Sequence, residues 1–146
     1  MLTYKIHLFR HGITRANLEG KYVGLSDYPL CQEGIDALKE FVKDKDYPPV
    51  EKIYTSPLRR CRETAHILYP GYKTFDVPQL MEMDFGTYEG KTLNELQNDE
   101  SFIAWSRDSM HNAPPEGEDG MEFIRRVIKG LNDVFQDMMA NDVHNA

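Results

Sequence analysis

The stretch Leu8-Phe9-Arg10-His11-Gly12 carries the first chemistry along the chain. An apolar run, Ile6 to Phe9, ends abruptly in a guanidinium, an imidazole and a glycine. Open α/β sheets present ligand groups in this way, at the carboxyl end of a buried strand. Arg10 offers a planar fork of donors suited to phosphate or carboxylate. His11 is a nucleophile candidate, and Gly12 lets the backbone turn while a ligand comes close. Thr14 and Asn17 follow at short range. Arg59, Arg60 and Arg62 form a second cluster, at the start of a helix whose N–H groups add partial positive charge. Glu82, ahead of Asp84-Phe85-Gly86, is the third group. Brought together, the cations would neutralise phosphoryl oxygens, the imidazole would attack phosphorus and the carboxyl would handle the proton.

The elements that must position these groups are legible from patterning. Tyr4 to Phe9 reads as a strand, and Arg10 to Leu30 as a long polar loop of functional character. Gln32 to Val42 predicts a helix with Ile35, Leu38, Phe41 and Val42 on one face, broken over 44–49 at Pro48-Pro49. Val50 to Thr55 is a second strand. Ser56-Pro57 reads as an N-cap and first helical residue, opening a helix that runs to about Tyr69. Tyr72 to Val77 is a third strand, and Leu80 to Glu89 an extended segment or loop. Thr92-Leu93-Asn94-Glu95 is a capping box, with Phe102 to Arg107 continuing that helix or forming another. Asp108 to Gly117 is a polar loop. Met121, Ile124, Val127, Ile128, Leu131, Val134, Phe135 and Met138 make a core stripe on a last helix, from near Gly120 to about Asn141. This alternation argues for one α/β domain over 1–146 with a mostly parallel sheet.

Composition narrows the function classes. The chain is 40% hydrophobic and 28% charged, with a net charge of -7. A nucleic-acid or membrane-surface partner is disfavoured, because both need a basic face. Cys31 and Cys61 lack CxxC spacing and suggest neither a disulfide framework nor a metal site. No signal peptide opens the chain and no apolar run reaches membrane length, so a soluble cytoplasmic protein is expected.

Four motifs resemble the histidine phosphatase superfamily, with its phosphoglycerate-mutase-like fold. They are Arg10-His11-Gly12-Ile13-Thr14 with Asn17; Gly20 to Gly24 with Asp27 to Leu30 and Gly34; Ser56 to Ala65; and Leu80 to Gly86 with Glu89-Gly90. The resemblance covers most of residues 5 to 90. It implies a three-layer α/β/α fold, a small phosphorylated substrate, and no cofactor or metal. It makes His11 the nucleophile and Glu82 the acid that protonates the leaving oxygen. Arg10 and Arg60 would grip phosphate, helped by Asn17 and Thr14. The family's second catalytic His, in a His-Gly motif after the last long helix, has no counterpart here, and His144 is not assigned that role. The chain therefore reads as C-terminally incomplete, lacking the last strand or strands, with an unpaired edge on the first strand that another chain could fill. The short spacing between the His11 and Arg60 motifs resembles the α-ribazole-phosphatase-like group. The alternatives are a cofactor-dependent phosphoglycerate mutase and a non-catalytic phosphate-binding module. Homo-oligomerisation is left open.

Other residues carry plainer expectations. His7 reads as a sheet-face residue, His66 as solvated and His111 as a loop residue. Arg59 and Arg62 read as a solvated helix face, Asp84 as structural, Cys31 as a helix-start residue and Glu116 to Asp119 as a cap for the last helix.

Overall fold

The computed structural model describes residues 2–44 and 47–146. Part of the predicted helix break over 44–49 lies outside them. The helical elements are α1 (Arg15–Leu18), α2 (Gln32–Asp44), α3 (Arg59–Leu68), α4 (Leu93–Leu96), α5 (Glu100–Arg107) and α6 (Gly120–Ala140). Two short strands, β1 (Ile53–Thr55) and β2 (Thr74–Asp76), pair in parallel with Ile53 opposite Thr74. The α3 helix connects them as a βαβ unit. Single 3₁₀ turns at Pro78–Leu80 and Gly86–Tyr88 lie at the start of and within the segment read as extended or loop.

Local caps explain most boundaries. Thr92, Asp99 and Asp119 cap α4, α5 and α6, and Thr92 and Asp119 do so through capping boxes with Glu95 and Glu122. Two expectations about helix starts need correction. The loop after Gly12 contains α1, because Thr14 and Asn17 close a capping box of their own. The α3 helix begins at Arg59, not Pro57: its N-cap is Leu58, and the Ser56 hydroxyl instead accepts from the Leu58 N–H at 3.5 Å.

Buried side chains form two clusters. Met83, Tyr88, Leu96, Phe102 and Trp105 pack together, with Tyr22, Phe85 and Phe123 against them. Their rings meet mostly edge-on at centroid separations of 5.3 to 6.1 Å, each pair adding about 1 kcal/mol beyond burial. Val134, Met138 and Val143 form the second cluster, bordered by Tyr4, Tyr54, Val77 and Leu80.

The segment predicted as the first strand pairs only briefly. Lys5 N–H donates to His144 O, His7 N–H to Ala146 O and Ala146 N–H to Lys5 O, a parallel bridge with no ladder beyond it. Leu8 is 79% exposed and Phe9 46%. A further correction concerns α6. Its core face is Gly130, Val134 and Met138, while Ile124, Ile128 and Phe135 are exposed. The helix packs on the 78–80 turn, Phe123 borders the first cluster and Phe135 meets the Tyr4 ring edge-on at 5.4 Å. A cavity of about 230 Å³ opens between residues 6–9, β1, α3 and α6. Among the described residues no helix is long and apolar enough to cross a membrane.

Candidate active site

His11 lies between the short N-terminal bridge and α1, half-buried. Its Nδ1 is 2.7 Å from the Gly12 carbonyl oxygen. A carbonyl only accepts, so this contact places the proton on Nδ1 and leaves the Nε2 lone pair free in the neutral ring. Gly12 is itself fixed to α3: its N–H donates to Thr64 Oγ1 at 2.9 Å, and that hydroxyl donates to Arg60 O at 2.6 Å. The turn that follows His11 and the helix that carries Arg60 are therefore tied together through Thr64.

Burial holds the His11 imidazole below its ordinary value of 6.5. The Gly12 carbonyl pulls upward, Arg60 and Arg10 push further down, and Glu82 pulls up. Charged groups from three distant parts of the sequence thus influence one ring, each less than burial and the Gly12 carbonyl do. The result is an uncharged imidazole at neutral pH, the form that can attack phosphorus.

Arg60 is 1% exposed, the largest fully buried side chain among the described residues. Its Nη1 donates to Ser26 O at 2.9 Å and its Nη2 to Gly24 O at 2.7 Å. The Nε donor has no partner among the described residues. Such an orphan is costly in a buried place and suits an incoming acceptor. The Glu89 carboxylate completes this loop from the other side. It accepts from Gly24 N–H, Leu25 N–H, Ser26 Oγ and Phe85 N–H, at 2.7 to 3.3 Å. Gly24 is required there, because a Cβ would lie 1.8 Å from Met83 O. In the sequence Glu89 stands out only as part of a motif. Its partners in the Gly24 loop are more than sixty residues away, so no local spacing announces its job.

The remaining predicted groups divide. Arg10 is exposed and close enough to act on His11. Asn17 uses its Oδ1 on Thr14, which leaves its amide NH₂ unspent on that partner. Thr14 is 0% exposed and its hydroxyl donates to Asn17 at 2.8 Å, so it holds the loop and has no free proton for a phosphate. Glu82 is exposed, with Oε1 accepting from Met83 N–H at 2.8 Å. Arg59 pairs with Glu63 and Arg62 with Asp76, on the helix surface as expected. Asp84 caps the Gly86 turn, accepting its N–H at 2.8 Å. Cys31 donates its thiol to Ile13 O, and burial pushes the Cys61 thiol up, away from a reactive thiolate. The apolar cavity has His11 and Cys61 on its wall but none of Arg10, Arg60 or Glu82.

The chain belongs to the histidine phosphatase superfamily (branch 1), whose model matches residues 6–144. It is 34% identical over 142 residues to an adenosylcobalamin/alpha-ribazole phosphatase of Salmonella typhimurium, covering 91% of this chain and 69% of that protein. The crystal structure of the alpha-ribazole phosphatase from Shigella flexneri superimposes with a TM-score of 0.85 at 29% identity, over 96% of this chain and 70% of that one. A phosphoglycerate mutase from Thermus thermophilus gives 0.67 at 32% identity, over 84% and 68%. The chain spans 63 to 69% of the length of the curated ribazole phosphatases. The α/β, phosphoglycerate-mutase-like fold read from the sequence is thereby established.

Proposed function

We propose that this chain hydrolyses small phosphomonoesters through a phosphohistidine on His11, with Glu82 as the proton donor. The observation that carries the reading is the neutral, Nδ1-anchored His11 ring under the combined influence of Arg60, Arg10 and Glu82. In the first step Nε2 attacks phosphorus, the P–O bond to the leaving group breaks and Glu82 gives its proton to that oxygen. The imidazolium charge that develops is stabilised by the Gly12 carbonyl. Arg10, Asn17 and the free Nε of Arg60 supply donors for the transferring oxygens. In the second step Glu82 takes a proton from water, which attacks phosphorus and releases His11. The ribazole phosphatase relatives favour a nucleotide-like phosphomonoester over a mutase substrate.

The test is single-turnover mixing with an aryl phosphate, followed by acid-stable against acid-labile phosphate analysis. Acid-labile phosphate on the wild-type chain, absent in His11→Ala, is the expected result. Phosphate affinity without turnover in the wild type would favour a phosphate-binding module instead.

A further inference from the structure

We propose that Arg126, locked to Glu118, is the positioning residue that sets Glu82 against His11. This rests on the reading of Glu82 as the acid. Arg126 projects from α6 onto the segment that bears Glu82. Its Nη1 donates to Gln79 O and to Met81 O, both at 2.9 Å. Its Nη2 donates to Glu82 O at 3.2 Å and to Glu118 Oε1. Its Nε donates to Glu118 Oε2 at 3.3 Å. A guanidinium has five N–H groups, and all five are spent. Glu118 finishes the frame: its Oε1 accepts from Asp84 N–H and its own N–H donates to Asp84 O, both at 3.1 Å.

The backbone on both sides of Glu82 is thus hung from one fork. Carbonyls 79, 81 and 82 point to Arg126, and residue 84 is bonded to Glu118 through both its polar backbone groups. The pair is well screened from solvent, with side-chain exposures of 25% and 18%. The Arg126 guanidinium also sits over the Phe123 ring at 5.4 Å, which fixes its plane. Among the described residues the Glu82 side chain makes one hydrogen bond, to the next N–H in the same segment. Its location therefore depends on where that backbone is held. A lysine in place of Arg126 has three donors on a single atom and cannot span three carbonyls and a carboxylate.

The experiment separates positioning from general damage through the leaving group. Phenyl phosphate needs a proton on its departing oxygen, whereas 2,4-dinitrophenyl phosphate does not. Arg126→Lys should lower kcat/KM, which reports only the transfer to His11, roughly tenfold or more on phenyl phosphate and by less than about threefold on the dinitrophenyl ester. Glu82→Gln should show the same split, and the double variant should lose little more than Glu82→Gln alone. Equal losses on both esters overturn the proposal. Amide hydrogen exchange gives a readout that needs no turnover. In Arg126→Lys the Met83 and Asp84 amides should exchange faster while those of Gly12 and Gly24 stay protected. Unchanged exchange at Met83 and Asp84 overturns the proposal in any case. Absence of turnover by the wild type on both esters would instead remove the phosphatase reading, with the exchange data still deciding what Arg126 holds.

Discussion

Arg60 and Arg126 invite comparison. Each is drawn into the protein by backbone carbonyls, and each works beside a glutamate that binds the same segment through its N–H groups. Arg60 and Glu89 hold residues 24–26. Arg126 and Glu118 hold residues 79–84. The difference lies in what is left over. Arg126 has committed every donor, so it can only support. Arg60 spends two of its five N–H groups on carbonyls, its buried Nε has no partner among the described residues, and its charge helps to lower the His11 pKa, so a structural clamp and an electrostatic influence share one side chain. A residue of the second kind cannot be removed to measure its catalytic worth alone.

The largest expected effect follows from that fusion. Arg60→Ala strands two buried carbonyls and should destabilise the fold by about 3 kcal/mol while abolishing turnover. Arg10→Ala, at an exposed site, should lose phosphate affinity and rate with an unchanged urea midpoint. Equal midpoints for the two variants would break the distinction drawn between clamp and ligand. Next comes Glu89→Gln, which keeps the shape but removes the charge from its hydrogen bonds to the loop. A loss of about 2 kcal/mol, read from urea denaturation, is expected.

A smaller effect concerns pH. The His11 imidazole titrates below 6.5 when folded, so the unfolded chain takes up that proton first as pH falls. Its contribution to stability is complete above 6.5 and is lost as pH drops through the lower folded value. The same protonation removes the Nε2 lone pair. The acid limb of kcat/KM should therefore fall below 6.5, and the His11→Ala variant should lose this part of the stability–pH slope. An acid limb above 6.5 would contradict the assigned state. The smallest effect belongs to Arg62→Ala. Its pair with Asp76 is exposed, and removing it should leave the urea midpoint nearly unchanged and activity intact.

How much of this is legible in the sequence varies with the separation of the partners. The capping box at Thr92, the cap of α6 within residues 116–119 and the extent of α6 are short-range features, and they fall where patterning places them. His11, Arg60 and Glu82 stand out because motif and chemistry coincide. The periodicity of α6 predicts a stripe but not what covers it, so Ile128 is expected in the core and lies exposed. Thr14 reads as a phosphate ligand because hydroxyls bind phosphate. Its partner three residues away claims the proton first. The start of α3 is misplaced because Ser56-Pro57 has the composition of a helix start, while the backbone makes a turn before entering the helix at Arg59. The Glu89 and Arg126 frames are illegible for a different reason. Each joins segments tens of residues apart, and nothing in either neighbourhood marks the partner.

The bridge between residues 5–7 and 144–146 has a consequence for the order of assembly. His11 stands only a few residues beyond it. The support on the amino-terminal side of His11 comes from residues 144–146, whereas the Thr64 contact on its other side comes much sooner along the chain. Closing so wide a loop is entropically slow, and on a ribosome it must wait for late residues to emerge. Residues 5–7 should thus become ordered after Arg60, Glu89 and their loop, which are already in place to receive them.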